Sequence, residues 1–187
     1  MAVSKGVWLV IGVQAAGKST VAEGLAGSFE RGIHVRGGQF YRWAVTGWVH
    51  PEPGHREGSE ARRLLDLRYR LATMVADEYC DAGFTTVVQD NVFGTDVTAW
   101  LDRVRTRPRH LVVLRPSKDV VARREKDRTR AIGKVAYRPG DFTIVDLDRA
   151  LDATPGTGLW LDTSYQTPEE TVREILARRD EALLDPI

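Results

Sequence analysis

The chain has 187 residues, of which 42% are hydrophobic and 28% are charged, and its formal net charge is +1. This composition is typical of one globular domain, here residues 1–187, and the near-zero charge excludes a broad basic surface for nucleic acid or membranes. A single cysteine excludes an intramolecular disulfide. No apolar run is long enough to span a membrane and no basic, apolar leader follows Met1, so we predict a cytoplasmic protein.

The first predicted strand, residues 7–11, runs directly into a glycine-rich segment. Residues 12–20 read GVQAAGKST, which is a complete G-x-x-x-x-G-K-S motif, and residues 18–29 have the apolar spacing of a helix. Strand, loop and helix in this order bind nucleotide phosphates, with Lys18 on the β- and γ-phosphates and the Ser19 hydroxyl on Mg²⁺. The predicted phosphate-binding residues are Gly12, Gln14, Ala15, Ala16, Gly17, Lys18, Ser19 and Thr20.

The rest of the chain continues as alternating predicted strands and helices. Residues 33–36 form a short second strand that two glycines end, and a helix over residues 39–46 follows. Ser59 is placed to cap a long helix that ends near Asp81. The apolar face of that helix consists of Leu64, Leu67, Leu71, Met74, Val75 and Tyr79. Further strands are predicted at residues 85–89, 110–114 and 158–162, and further helices at 96–106, 117–129, 143–152 and from Pro168 onward.

The strand–helix alternation occurs about five times, and the strands are apolar almost throughout. Such strands are typical of a parallel sheet that is covered on both faces. We therefore predict an α/β fold, a three-layer α/β/α sandwich on a five-stranded parallel sheet. Ligands of such folds lie at the C-terminal ends of the strands, so we expect the functional residues at that edge.

Asp90 is the best carboxylate candidate at this edge, because it directly follows the apolar strand 85–89. An acid in this position of P-loop enzymes is associated with Mg²⁺. Asp90 is therefore a candidate metal-associated residue, beside Ser19, and a candidate catalytic base. The alternative is that Asp90 and Asn91 form an ordinary turn at the end of a strand.

The order of these parts resembles the small P-loop kinases, which include gluconate, shikimate and adenylylsulfate kinases and chloramphenicol phosphotransferase-like proteins. Only residues 12–20 carry the resemblance as sequence; elsewhere it rests on order and spacing. It implies a P-loop kinase fold, ATP with Mg²⁺, an acceptor-binding segment at about residues 37–60 and an arginine-bearing lid at about 118–142. These kinases often have an acid after the second strand. This chain has Gly37-Gly38-Gln39 there and no carboxylate between Glu30 and Glu52.

The predicted lid contains several arginines. Arg124 and Arg128 are four residues apart and share a helix face, as do Arg123 and Arg130, which are seven apart. Either pair could neutralise the transferred phosphoryl group, and Arg124 and Arg128 are the predicted catalytic pair. The alternative is a solvated, charged helix surface.

The predicted acceptor segment is unusually aromatic. Side chains of this kind suit a ring-bearing or sugar acceptor. The predicted substrate-binding residues are Arg36, Gln39, Tyr41, Arg42 and Trp48. The alternative is that Phe40 and Trp43 belong to the core and the arginines to the ordinary surface.

Three functions remain open from the sequence. The first is a Mg²⁺·ATP-dependent kinase, monomeric or homodimeric, that phosphorylates a hydroxyl of a sugar, a nucleoside or an antibiotic-like natural product. The second is a kinase of nucleotides or nucleic-acid 5′ ends, with a short footprint around Arg42, Trp48 and Arg56. The near-neutral charge disfavours nucleic acid as a partner. The third is a non-catalytic, nucleotide-dependent switch, which the Gly37-Gly38 sequence favours. The chain contains no N-K-x-D motif, which disfavours a GTPase.

Overall fold

The computed structural model of the protein describes residues 5–50, 57–133 and 142–185. Within these ranges strands and helices alternate as the sequence predicts. The strands are β1 (Val7–Gly12), β2 (Gly32–Arg36), β3 (Thr85–Gln89), β4 (Arg109–Leu114) and β5 (Leu159–Leu161). The helices are α1 (Lys18–Gly27), α2 (Gly38–Arg42), α3 (Glu60–Asp81), α4 (Asp96–Arg103), α5 (Lys118–Ile132), α6 (Ile144–Asp152), α7 (Pro168–Ala177) and α8 (Arg179–Ala182).

The five described strands form one parallel sheet in the order β2-β3-β1-β4-β5. β1 lies at its centre between β3 and β4, and all six β1 residues are buried. Helices cover both faces of the sheet, so the predicted three-layer α/β/α sandwich is confirmed. Because all strands run in the same direction, their C-terminal ends meet at one edge, which carries the glycine-rich loop, Gly37 and Asp90.

Helix α3 begins at the predicted cap, since the Ser59 hydroxyl accepts a hydrogen bond of 3.3 Å from the Arg62 N–H. The predicted apolar face of this helix is only partly correct: Leu71 and Val75 pack against the core, but two of its large residues do not. Met74 is 62% exposed and Tyr79 is 41% exposed. Smaller side chains, Ala72, Ala76 and Cys80 beside Tyr69, form the fully buried part of the face. Small residues let the helix backbone approach the sheet closely, and a pattern based on large apolar residues misses such a face.

Several predicted helix boundaries also need correction. Helix α2 ends at Arg42 rather than near residue 46, and the side chains beyond it, Trp43 and Val45, are 66% and 97% exposed. A segment with little apolar surface to bury gains too little from packing to stay helical. Helix α5 extends past the predicted residue 129 to Ile132, and Gly133 ends it in the left-handed conformation, with φ 64°.

The last long helix, α7, is capped as the sequence predicts. The Thr167 hydroxyl accepts from the Glu170 N–H at 3.2 Å, and the Glu170 carboxylate accepts from the Thr167 N–H at 2.8 Å. With Pro168 in the first turn, this capping box fixes the start of the helix. In the parts of the chain that the structure describes, no helix has the length and apolar character needed to cross a membrane.

Candidate functional site

The glycine-rich loop connects the end of β1 to the start of α1. Ala15 and Gly17 are in the left-handed region, with φ 65° and 95°, and such residues turn successive N–H groups towards one anion. Gly12 permits close packing, because a Cβ there would lie 2.5 Å from the Leu114 carbonyl oxygen. No side chain caps α1 at Gly17. The first N–H groups of the helix therefore lack the usual side-chain acceptor, and helix starts of this kind bind phosphate.

Lys18 is buried at the beginning of α1, with 7% of its surface exposed. Its ammonium group donates hydrogen bonds to the Gly12 and Val13 carbonyl oxygens, at 2.8 and 2.7 Å. Burial, together with the nearby guanidinium groups of Arg68 and Arg128, lowers the pKa of Lys18 to about 7. A phosphate bound at the loop would therefore stabilise the ammonium form of Lys18.

Ser19 and Gln89 connect the loop to the end of β3. The Ser19 hydroxyl donates a hydrogen bond of 2.9 Å to the Gln89 side-chain oxygen. The lone pairs of the Ser19 oxygen are then left for a cation, which is the arrangement that a Mg²⁺ ligand requires. The residues present therefore fit the predicted metal-ion site at Ser19. Thr20, the last residue of the motif, is exposed on α1.

Asp90 follows β3 and is completely buried. The Arg68 guanidinium pairs with both oxygens of its carboxylate, with Nε 3.2 Å from Oδ2. The Asn91 N–H donates to Oδ1 at 2.7 Å. Asp90 is thus at the predicted edge of the sheet, but Arg68 covers it, and Ser19 bonds to Gln89. The catalytic and metal-associated roles of Asp90 remain predictions.

Helix α5, which lies in the predicted lid, reaches the loop through the two predicted arginines. Arg124 donates to the Ala16 carbonyl oxygen at 3.3 Å and to the Thr163 carbonyl oxygen at 2.8 Å. Arg128 pairs with Glu125 and lies near enough to Lys18 to lower the pKa of that lysine. Both predicted arginines thus interact with residues of the glycine-rich loop. Residues 134–141 of the predicted lid lie outside the described residues.

Three aromatic side chains cluster in the predicted acceptor segment. The Tyr41 ring is 4.7 Å from the His50 ring and 6.0 Å from the Trp48 ring, measured between centroids. The guanidinium carbons of Arg42 and Arg68 each lie 5.7 Å from the centre of the Tyr41 ring. This aromatic wall, residues 41, 48 and 50, therefore adjoins the Arg68–Asp90 pair. Residues 51–56 of the segment, including Arg56, lie outside the described residues.

Two predicted substrate-binding residues are placed elsewhere. Arg36 pairs with Glu23 of α1 at 2.6 Å and lines a groove of about 640 Å³ between α1 and α7, together with Ser19 and Thr20. Gln39 is exposed at the start of α2. The alternative interpretation places Phe40 and Trp43 in the core. Phe40 is buried, in agreement with it, whereas Trp43 is exposed.

Sequence reasoning missed Arg68 and Gln89. Arg68 precedes Ala72 and Ala76 at intervals of four, so it lies on the buried face of α3. A charged residue on the buried face of a helix indicates a functional residue. It can be recognised from the sequence only when the buried face has been identified correctly. Gln89 is the polar last residue of an otherwise apolar strand, and such a residue points to the functional edge of a parallel sheet.

A protein-family model described as an AAA domain matches residues 7–151. The chain belongs to this family. The match begins at β1 and ends within α6, so it contains the loop, Asp90, Arg124 and Arg128. The search of curated proteins gave no significant match.

Solved structures show that this AAA domain protein has the fold of the small P-loop kinases. An unliganded sugar kinase from Janibacter sp. HTCC2649 aligns at a TM-score of 0.65 with 21% identity, covering 95% of this chain and 96% of its own. A gluconokinase from Sinorhizobium meliloti 1021 aligns at 0.56 with 22% identity, covering 92% and 90%. Shikimate kinase from Aquifex aeolicus aligns at 0.56 with 14% identity, covering 93% and 96%. The predicted resemblance to small P-loop kinases is confirmed at the level of the fold.

Proposed function

We propose that the protein is a Mg²⁺·ATP-dependent kinase that phosphorylates a hydroxyl group of a small molecule. The observation that carries the proposal is the glycine-rich loop, whose left-handed residues turn N–H groups towards one anion beside the buried Lys18 ammonium group. Burial disfavours the charged form of Lys18, and an anion of high charge bound beside it would recover that cost. The triphosphate of ATP is an anion of that kind, and the kinase fold supplies the context.

The roles of the nucleotide-side residues follow from their positions. Backbone N–H groups around Gly17 and the Lys18 ammonium group hold the phosphates. A bound Mg²⁺ would neutralise charge on the β- and γ-phosphates, and the Ser19 hydroxyl would hold it while donating its proton to Gln89. Arg128 compensates charge that develops during transfer, and Arg124 fixes the helix that carries it. Positioning and electrostatic stabilisation supply most of the catalysis in phosphoryl transfer.

The aromatic wall favours an acceptor with a flat ring or a sugar. Tyr41, Trp48 and His50 offer ring faces and edges for stacking, and Arg42 beside them offers hydrogen-bond donors. We propose that the acceptor is a sugar, a nucleoside or an antibiotic-like natural product. Its hydroxyl would approach the γ-phosphate from the side of the sheet edge that carries Asp90.

One observation favours a second candidate function, a nucleotide-dependent switch without kinase activity. Asp90 is fully buried and paired with Arg68, so in this conformation its carboxylate is closed to an acceptor. A site that binds nucleotide but holds this closed arrangement permanently would not transfer phosphate. The two functions differ in one measurable product, the phosphorylated acceptor.

The test is an acceptor screen. Purified protein is incubated with Mg²⁺·ATP and pooled sugars, nucleosides, antibiotics and a short 5′-hydroxyl oligonucleotide, and mass spectrometry detects phosphorylated products. Lys18→Ala serves as the active-site variant and Lys5→Ala, which removes an exposed lysine before β1, as the matched control. A phosphorylated small molecule, absent with Lys18→Ala and present with Lys5→Ala, supports the proposal. ATP binding without any transfer supports the switch, and a labelled oligonucleotide alone supports a 5′-end kinase.

A further inference from the structure

Gly37 is a glycine because of its neighbour and not because of its backbone. Its φ and ψ are −55° and −37°, values that any residue adopts. A Cβ at this position, however, would lie 2.0 Å from Asp90 Oδ2 and 2.3 Å from Asp90 Cγ. The Asp90 carboxylate, which comes from the end of β3, therefore occupies the space that a side chain at the end of β2 would fill.

The carboxylate in this space lies between the nucleotide side and the acceptor side of the site. Asp90 directly follows Gln89, which accepts from the Ser19 hydroxyl next to Lys18, and its own partner is the Arg68 guanidinium group. The same guanidinium group is 5.7 Å from the Tyr41 ring of the aromatic wall. A group placed here is adjacent both to the γ-phosphate that Lys18 would bind and to the acceptor that Tyr41 would contact.

We propose that Asp90 is the proton acceptor for the acceptor hydroxyl, and that Arg68 is a positioning residue that covers Asp90 until the acceptor binds. This inference rests on the proposed kinase function. The hydroxyl proton passes to the Asp90 carboxylate, the hydroxyl oxygen forms a bond to the γ-phosphorus, and the bond from that phosphorus to the β–γ bridging oxygen breaks. ADP leaves with the electron pair of the broken bond. Arg68 pairs with the buried carboxylate and shields it from water beforehand.

The first test measures transfer by Asp90→Asn, with the acceptor that the screen identifies. We expect kcat to fall by about 10² to 10⁴-fold, which is the usual contribution of a general base. Asp77→Asn is the matched control: Asp77 is also buried and accepts from the Arg105 and Thr106 N–H groups, at 3.1 and 2.9 Å, in the turn after α4. It should lose stability and keep its kcat. ATP affinity, measured by calorimetry, confirms that each variant is folded.

The second test moves the carboxylate from position 90 to position 37. Gly37→Ala in the wild-type background should lower the melting temperature by about 3 to 10 °C, because the new methyl group overlaps the Asp90 carboxylate. In the Asp90→Gly background the same change should have little effect. The double variant Gly37→Asp/Asp90→Gly again places one carboxylate beside Arg68. We expect the kcat of this double variant to be at least tenfold higher than that of Asp90→Gly.

Arg68 has its own readout. Arg68→Met leaves Asp90 uncovered, so the ratio of acceptor phosphorylation to acceptor-free ATP hydrolysis should fall by tenfold or more. Arg68→Lys keeps a cation beside the carboxylate and should restore part of that ratio. A residue with a merely structural role would lower transfer and hydrolysis together and leave the ratio unchanged.

The outcomes separate this inference from the proposed function. If wild-type protein transfers phosphate and Asp90→Asn transfers it equally well, the inference is wrong and the kinase function stands. Failure of the double variant to regain activity while it still binds ATP would also overturn the inference. If the wild-type protein phosphorylates nothing in the screen, the proposed function fails, and the inference fails with it.

Discussion

The burial of Lys18 predicts that ATP binding depends on pH in a particular direction. Without nucleotide, burial and the two guanidinium groups lower the pKa of Lys18 to about 7. At pH 8, only about one tenth of the Lys18 side chains would then carry a proton. Phosphates beside the ammonium group return its pKa towards the ordinary value of 10.5, so binding at pH 8 should take up about 0.9 proton.

The sign of the effect follows from linkage. The bound state has the higher pKa, so the affinity is fully present below pH 7 and falls as the pH rises above it. The association constant should fall by up to about tenfold per pH unit in that range. At pH 6 the ammonium group is already protonated, and we expect only about 0.1 proton to be taken up.

Isothermal titration calorimetry measures the uptake directly. ATP is titrated at each pH in two buffers that differ in ionisation enthalpy, and the difference in apparent enthalpy gives the number of protons exchanged. Lys18→Arg is the control, because a guanidinium group stays charged throughout this range. Proton uptake at pH 8 that is equal in wild type and Lys18→Arg would refute the reasoning. So would an affinity that is independent of pH between 7 and 9.

Three further predictions concern residues around the site and in the core. Gln89→Leu removes the acceptor of the Ser19 hydroxyl proton and should raise the Mg²⁺ concentration required for turnover by about tenfold or more. Gln89→Glu should lower that concentration. Equal Mg²⁺ requirements in wild type and both variants would contradict this prediction. Burial against a stacked tryptophan lowers the pKa of His110 from 6.5 to about 4. The neutral His110 side chain therefore stabilises the folded protein above pH 6.5, and this stabilisation is lost as the pH falls. Wild type should therefore lose about 2 kcal/mol more than His110→Phe between about pH 7.5 and pH 5, measured by urea unfolding. Arg124→Ala should lower the free energy of unfolding by roughly 1 to 3 kcal/mol, and the exposed Arg123→Ala should not.

The order of strands and helices and the phosphate loop were predictable because both depend on local sequence. Apolar runs between turn residues specify strands in any surroundings, and the spacing of Gly12, Gly17 and Lys18 specifies a loop whose geometry is internal to it. The caps at Ser59 and Thr167 are local for the same reason, because their partners are three residues away. For such features the sequence alone was sufficient.

The environment of Asp90 was decided by the tertiary structure. Gly37, Arg68 and Asp90 are separated by more than twenty residues at each step, and they meet because β2 and β3 pair in parallel while α3 packs over them. The sequence showed a missing acid at Gly37; the fold showed that a carboxylate from the neighbouring strand fills that space. Sequence periodicity predicts which side of a strand or helix a residue faces, but not which residues of other chain segments it contacts. Contacts such as those of Asp90 are therefore decided by the tertiary structure.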